Sequence, residues 1–347
     1  MKCRKYFHKV GCKMTTIYDV AKRAGVSITT VSRVLNDRGQ VSEKTRIRVE
    51  QAMADLGYVP NPAARSLTLG VSQLIALVVP SITNSFYATL AKGLQDHCYA
   101  VGYNTVIANT DGDPEKEIEC IETLLKKQID GICFARYLED ETSLRLLAES
   151  QKPTVIIGAK PKESQFDVVG VFGTGAALNE AIAQLKTAGK RRLGYIGGPP
   201  HTVVGTVRKR QYQFAVKEYD LFYEDALIAE TDFTIEAGRE AAEEMLSLAN
   251  PPDMFFAGND LLAIGIFEAV QNAGLSIPQD VAVIGCDDIE LARLLKPSLT
   301  TIRLPQYLLG KKAGELLLER ITNPGMAIKE LSMEVRLVCR DSTAATI

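Results

Sequence analysis

At 347 residues, 46% of them hydrophobic and 24% charged, the chain is long enough for two or three packed domains and too rich in apolar side chains for a disordered polymer. No apolar run reaches the ~18 residues of a membrane span, and seven cysteines (3, 12, 98, 120, 133, 286 and 339), never in a C-x-x-C pair, argue against a disulfide framework or zinc site and for reduced thiols in the cytoplasm. The net charge of −2 conceals an asymmetry: residues 1–70 carry 13 Lys and Arg against 5 Asp and Glu, whereas the other 277 residues carry 27 against 37. A basic head on an acidic body fits a phosphate-binding module joined to something that is not one.

The first 14 residues, MKCRKYFHKVGCKM, are basic but lack the apolar stretch of ~7–15 residues that a signal peptide needs. They are expected to form a disordered leader, and Met14, directly before the first helix signal, is an alternative start of translation. Residues 16–36, TIYDVAKRAGVSITTVSRVLN, read as a helix–turn–helix. Thr16 followed by Asp19 is a capping box, and Ile17, Val20, Ala21 and Ala24 recur at helical spacing. Gly25 supplies the left-handed conformation of a tight turn. Ser27 is an N-cap for a second helix, in which Val31, Val34 and Leu35 face inward. Ile28, Thr29, Ser32 and Arg33 are left outward, as small or hydrogen-bonding groups suited to base edges. On the pattern alone an ordinary helical hairpin also fits.

A third helix is expected from the N-cap Ser42 through Val49, Ala52, Met53 and Leu56 to Gly57. Asn61 and Pro62 then open a helix of only about six residues, 62–67, which is marginal alone in water and needs DNA or a twin chain to form. A plain interdomain linker accounts for the same spacing equally well.

From Ser72 the texture becomes alternating strands and helices. Strands are predicted at 74–79, 104–108, 129–134, 154–157, 168–172, 193–196, 253–256 and 281–284, and helices near 84–101, 114–127, 141–150, 174–188, 205–219, 235–248 and 259–273. This βαβ rhythm predicts parallel sheets with helices on both faces. So many units are better divided between two lobes than forced into one sheet. Ligands in such folds sit at the carboxyl ends of the strands, here in the cleft between lobes.

Taken together, these residues resemble the LacI/GalR family of bacterial transcription repressors over essentially all of 15–347. The likeness rests on T-I-x-D-V-A at 16–21, A-G-V-S-x-x-T-V-S-R-V-L-N at 24–36 and A-A-R-S-L at 63–67. It continues through T-D-G-D-P-E-K-E at 110–117, D-G-I at 130–132, Y-I-G-G-P at 195–199, N-D-x-x-A-x-G at 259–265, G-C-D-D-I at 285–289 and P-x-L-T-T-I at 297–302. The resemblance implies an α/β protein: an all-α helix-turn-helix head (15–60), a hinge helix or linker (61–70) and a two-lobed, periplasmic-binding-protein-like core with parallel sheets (71–347). Its first lobe is expected at about 71–170 and 303–332, its second at about 173–300 and 334–347. It also implies a homodimer on a palindromic double-stranded DNA operator, controlled by a small effector, sugar or sugar phosphate, in the cleft. The DNA-binding residues implied or read from the motif are Thr16, Ser27, Ile28, Thr29, Thr30, Ser32, Arg33, Asn36, Arg65 and Leu67. Leu67 matches the family's wedge into the minor groove. Family ligand positions carry over to Phe86, Tyr87, Arg208, Asn259 and Asp287.

The chain departs from the family pattern at Gly158 and Ala159, where Asp-Arg is common, at Gly173 and Thr174, where Asp-Asn is common, and at Gln211, where Gly is usual. With those acids gone and Arg136, Lys160 and Arg208 expected near the cleft mouth, an anionic effector such as a sugar phosphate is expected. A regulator of the same fold governed by a protein co-regulator is the rival. An enzyme is not expected: the glycines at 173 and 175 make only a partial dinucleotide fingerprint, and the three histidines pair with no evident nucleophile. An exported solute-binding protein has no use for residues 15–67. No cofactor, metal or membrane association is expected. No heptad pattern follows V-C-R-D-S at 338–342, so a dimer is expected rather than a coiled-coil tetramer.

Overall fold

The computed structural model describes residues 15–35, 39–59, 71–162 and 165–343. The chain divides into two compact units, Met1–Ser72 and Gln73–Ile347. The expected leader at 1–14 and the expected hinge helix at 62–67 lie outside the described residues.

In the first unit, helices α1 (Ile17–Ala24), α2 (Ile28–Leu35) and α3 (Glu43–Leu56) begin and end where local chemistry dictates. The Asp19 carboxylate accepts from the Thr16 amide at 2.9 Å and its hydroxyl at 2.7 Å. Gly25 closes α1 with φ +62°, and the Val26 amide turns back onto the Ala21 carbonyl at 3.1 Å. Arg48 of α3 donates to the Ala24 and Gly25 carbonyls, the last orphan acceptors of α1. Ser27 accepts from the Thr30 amide at 3.1 Å, and Ser42 from the Thr45 amide at 3.4 Å, to start α2 and α3. The Tyr58 amide caps α3 on Met53, 2.9 Å away. The resulting core is small: Val20, Ala21, Ala24, Val31, Val34, Val49 and Ala52.

The second unit is two stacked α/β lobes. The first sheet has the order β11-β5-β4-β3-β1-β2, built from β1 (Leu74–Val79), β2 (Asn104–Asn109), β3 (Gly131–Ala135), β4 (Thr154–Ile157), β5 (Asp167–Phe172) and β11 (Glu330–Glu334). All its pairings are parallel. Alternation along β1 sends Ile75, Leu77 and Val79 against helices α4 (Ser85–Ala100) and α11 (Gln306–Thr322). Ala76 and Val78 face α5 (Pro114–Lys126) and α6 (Thr142–Glu149) on the other side. Helices α4 and α11 approach backbone to backbone: a Cβ at Gly310 would stand 1.9 Å from the Leu90 carbonyl oxygen, and one at Gly93 2.0 Å from that of Tyr307.

The second sheet has the order β12-β10-β9-β8-β6-β7, from β6 (Leu193–Gly197), β7 (Ile228–Glu230), β8 (Met254–Ala257), β9 (Ala282–Asp287), β10 (Thr300–Arg303) and β12 (Arg336–Val338). Only the β10–β12 pair is antiparallel. One face is covered by α7 (Thr174–Thr187) and α8 (Val203–Glu218), the other by α9 (Ile235–Leu246) and α10 (Asp260–Asn272). The chain passes between lobes three times: from β5 to α7, from β10 to α11, and from β11 to β12 through Val335.

Sequence spacing did not anticipate β7, β10, β11, β12 or α11. The strands have three to five residues each, and the exposed, polar Glu330–Glu334 edge strand has no apolar run to announce it. Helix α11 starts at Pro305 with no side-chain cap.

Candidate DNA-reading and ligand-binding sites

In the first unit, α2 turns Val31 and Val34 inward, which leaves Ile28, Thr29 and Arg33 exposed and Ser32 half-buried along one face. Ile28 keeps 39% of its surface open, unusual for an isoleucine that only fills a core. Ser27 and Thr30 hydroxyls lie 2.9 Å apart at the head of this helix, and Thr16 is exposed at the start of α1. This face combines an apolar tip, hydroxyls and one guanidinium, the groups that read thymine methyls and guanine edges in a major groove. Asn36, Arg65 and Leu67 lie outside the described residues.

In the second unit, a cavity of about 750 Å³ lies between the lobes at the carboxyl ends of their strands. It falls within the usual range of small-ligand sites. From the first lobe come Phe86 and Tyr87, placed on the first turn of α4 by the N-cap Asn84, whose side chain accepts from the Phe86 amide at 2.9 Å. Their rings meet edge to face, with centroids 5.0 Å apart. From the second lobe come Arg208 on α8, Asn259 after β8 and Asp287 at the end of β9.

Arg208 is nearly buried and donates to Asp287 at 2.9 Å and to the Gly258 carbonyl, with Phe233 lying 6.0 Å from the guanidinium carbon. Burial pushes the Asp287 carboxyl up to about 6, against the pull of Arg208. Burial likewise raises the Tyr87 hydroxyl far above its ordinary range, with the Asp287 charge adding to the effect. Asn259 spends its side-chain oxygen on the Leu262 amide (2.9 Å) as N-cap of α10, leaving its NH2 for a ligand.

Behind this row lies Asp260, fully buried, which accepts from the Thr301 hydroxyl at 2.6 Å and the Ile289 amide at 2.8 Å. It thereby fixes the turn in which Asp287 (φ 123°) and Asp288 (φ 57°) take left-handed backbone. Burial first, and the Asp287 charge second, raise its carboxyl to about 7. The lobes are also joined by Val203 N–H to the Tyr137 carbonyl (2.9 Å) and Glu139 N–H to the His201 carbonyl (3.0 Å).

Six of the seven sequence-predicted effector residues, Phe86, Tyr87, Arg136, Arg208, Asn259 and Asp287, line this cavity. Lys160 is a correction: it is not among the lining residues, because its ammonium is drawn to Glu330 on edge strand β11. Arg208, expected to offer free positive charge, is instead neutralised by Asp287. Sequence reading missed Asp111, Tyr137, Asp232 and Phe233 as lining residues. Asp111 sat in a quoted motif at 110–117; Phe233 follows the three-residue β7 and carries no periodic signal.

A capped three-helix head with one polar helix face, carried on the same chain as a two-lobed α/β core around a ligand-sized cavity, defines a ligand-responsive DNA-binding regulator. Residues 16–61 match the model of the bacterial regulatory proteins, lacI family, and residues 182–343 that of the periplasmic binding protein-like domain. The chain is 35% identical to the ribose operon repressor of Escherichia coli over 333 residues, covering 95% of this chain and 100% of that one. It is 32% identical to catabolite control protein A of Priestia megaterium, over 94% of this chain and 99% of that one. Among solved structures, the lac repressor dimer bound to operator and the anti-inducer ONPF superposes with a TM-score of 0.85 at 26% identity, over 96% of this chain and 100% of that one. The chain belongs to the lacI family of bacterial regulatory proteins.

Proposed function

We propose that this regulator is a cytoplasmic repressor that binds a near-palindromic operator as a homodimer and responds to a small polyhydroxylated effector between its lobes. The observation that carries the reading is the cavity itself, in which aromatic rings of one lobe face a buried Arg208–Asp287–Asn259 row of the other. Stacking surface plus a few fixed polar groups is how a cleft holds a sugar. An effector touching both lobes binds open and closed arrangements unequally, and this difference is what couples it to DNA. The similarity to the ribose operon repressor and to the operator-bound lac repressor dimer supports the same reading.

At the DNA end, Ser27, Ile28, Thr29, Thr30, Ser32, Arg33 and Asn36 read or flank base edges, Thr16 lies against the backbone, and Arg65 and Leu67 enter the minor groove. The test is to select fragments of the source genome on the purified full-length chain and footprint the enriched DNA with and without a panel of sugars. A two-fold symmetric protected site whose occupancy changes with one sugar is expected. Enrichment without a discrete site would overturn the reading.

A further inference from the structure

We propose that Arg136 forms an anion subsite in the interlobe cavity, so that the effector carries a phosphate or carboxylate beside its hydroxyls; this rests on the cavity being the effector site. The cavity holds two buried guanidiniums, and the protein treats them differently. Arg208 has a carboxylate at 2.9 Å and a backbone carbonyl. Arg136, whose side chain is only 9% exposed, has neither at full strength. Its Nη1 donates to the Lys160 carbonyl at 3.3 Å. Its Nη2 stands 3.6 Å from Glu141, beyond hydrogen-bond reach, and Glu141 is 45% exposed and so screened by water. Its Nε is buried with no acceptor.

A guanidinium is a fork of five donors, and leaving it short of acceptors out of water is costly unless something else supplies them. Burial accordingly depresses the Arg136 pKa, with Glu141 and Glu139 opposing. The bond to Lys160 sets the guanidinium against the 158–160 turn, where Gly158 and Ala159 line the cavity with almost no side-chain volume. No acid on that turn competes for the charge. Lys160, the other nearby cation, is engaged by Glu330. A phosphate or carboxylate beside Gly158 and Ala159 would supply the charged acceptor that this guanidinium lacks. Arg136 also directly precedes the 137–139 stretch whose backbone bonds join the lobes. An anion held there sits next to the closure it would reinforce.

The test is calorimetry on the full-length protein with neutral aldopentoses and aldohexoses, their terminal phosphates and their aldonic acids, repeated on Arg136→Gln and Arg136→Lys, with melting curves to verify folding. A phosphate or an acid should bind the natural protein at least tenfold more tightly than its neutral parent, which tells the two anion sources apart. Arg136→Gln should lose that advantage, Arg136→Lys should keep part of it, and affinity for the neutral parent should stay within about twofold. Neutral sugars binding as tightly as the anionic ones, or Arg136→Gln weakening both classes alike, overturns the anion subsite and leaves the effector reading standing. If no compound in the panel binds, both fall.

Discussion

The head and the core of this protein solve folding and recognition in opposite ways. Among its described residues the three-helix head buries a cluster of seven small side chains and relies on its ends: Thr16 with Asp19, Gly25, Ser27, Ser42 and Gly57 each satisfy backbone groups of the helix they border. Most of its proposed base-reading residues fall in one short stretch, from Ser27 to Arg33. The core buries four extended apolar clusters, and its site is assembled from residues as far apart as Phe86 and Asp287. A local motif suffices to grip DNA, whereas a cavity that two lobes share needs distant segments held in register. Substitutions should therefore separate the two regions, and each can be ranked by how far it reaches.

The largest effect is expected from Arg208→Ala, which leaves Asp287 buried without its partner. Removing one member of a buried pair costs about 3–5 kcal/mol, so the core should melt well below the natural protein in calorimetry and lose effector. Gly310→Ala should cost about 1–3 kcal/mol by overpacking, because the new methyl meets the Leu90 backbone; an unchanged melting point would refute the close approach of α4 and α11.

Arg33→Ala should leave stability nearly untouched and lose about 1–3 kcal/mol of operator affinity, concentrated at one or two base pairs per half-site in a competition assay. Ser42→Ala should cost about 1 kcal/mol through the lost cap of α3, seen in the head and not in the core.

The most diagnostic effect is in pH. The Asp260 carboxyl is raised on folding from 3.8 to about 7, so folding takes up a proton there. Its contribution to stability is complete below about 4 and is lost as pH rises through about 7. Urea midpoints of the core should therefore rise as pH falls from 8 to 5, and Asp260→Asn should flatten that slope. A slope of the opposite sign would mean that Asp260 stays ionised within the fold.

The same contrast explains what could be read before any coordinates. Every boundary described in the head was marked by a capping residue, and the buried parallel strands of the core by unbroken apolar runs such as 74–79 and 154–157. The edge strand 330–334 was invisible because one face lies in water and charges interrupt its pattern. Five of the cavity-lining residues were legible through motif likeness, but their charge state was not. That Asp287 neutralises Arg208, that Glu330 withdraws Lys160 and that Arg136 is left underpartnered depend on contacts across 79, 170 and 5 residues of sequence, which spacing does not encode.

The proposed regulation rests on one coupling, between a ligand in the interlobe cavity and the grip on DNA. Fluorescence anisotropy of a genome-selected operator fragment, titrated with the full-length protein at fixed salt with and without a cavity-binding sugar, measures it directly. In the natural protein the sugar should change operator affinity by about 5- to 150-fold, and in Asp287→Asn that change should vanish while ligand-free operator affinity is retained. Operator affinity that ignores a sugar shown by calorimetry to bind, or a response that survives intact in Asp287→Asn, would contradict it.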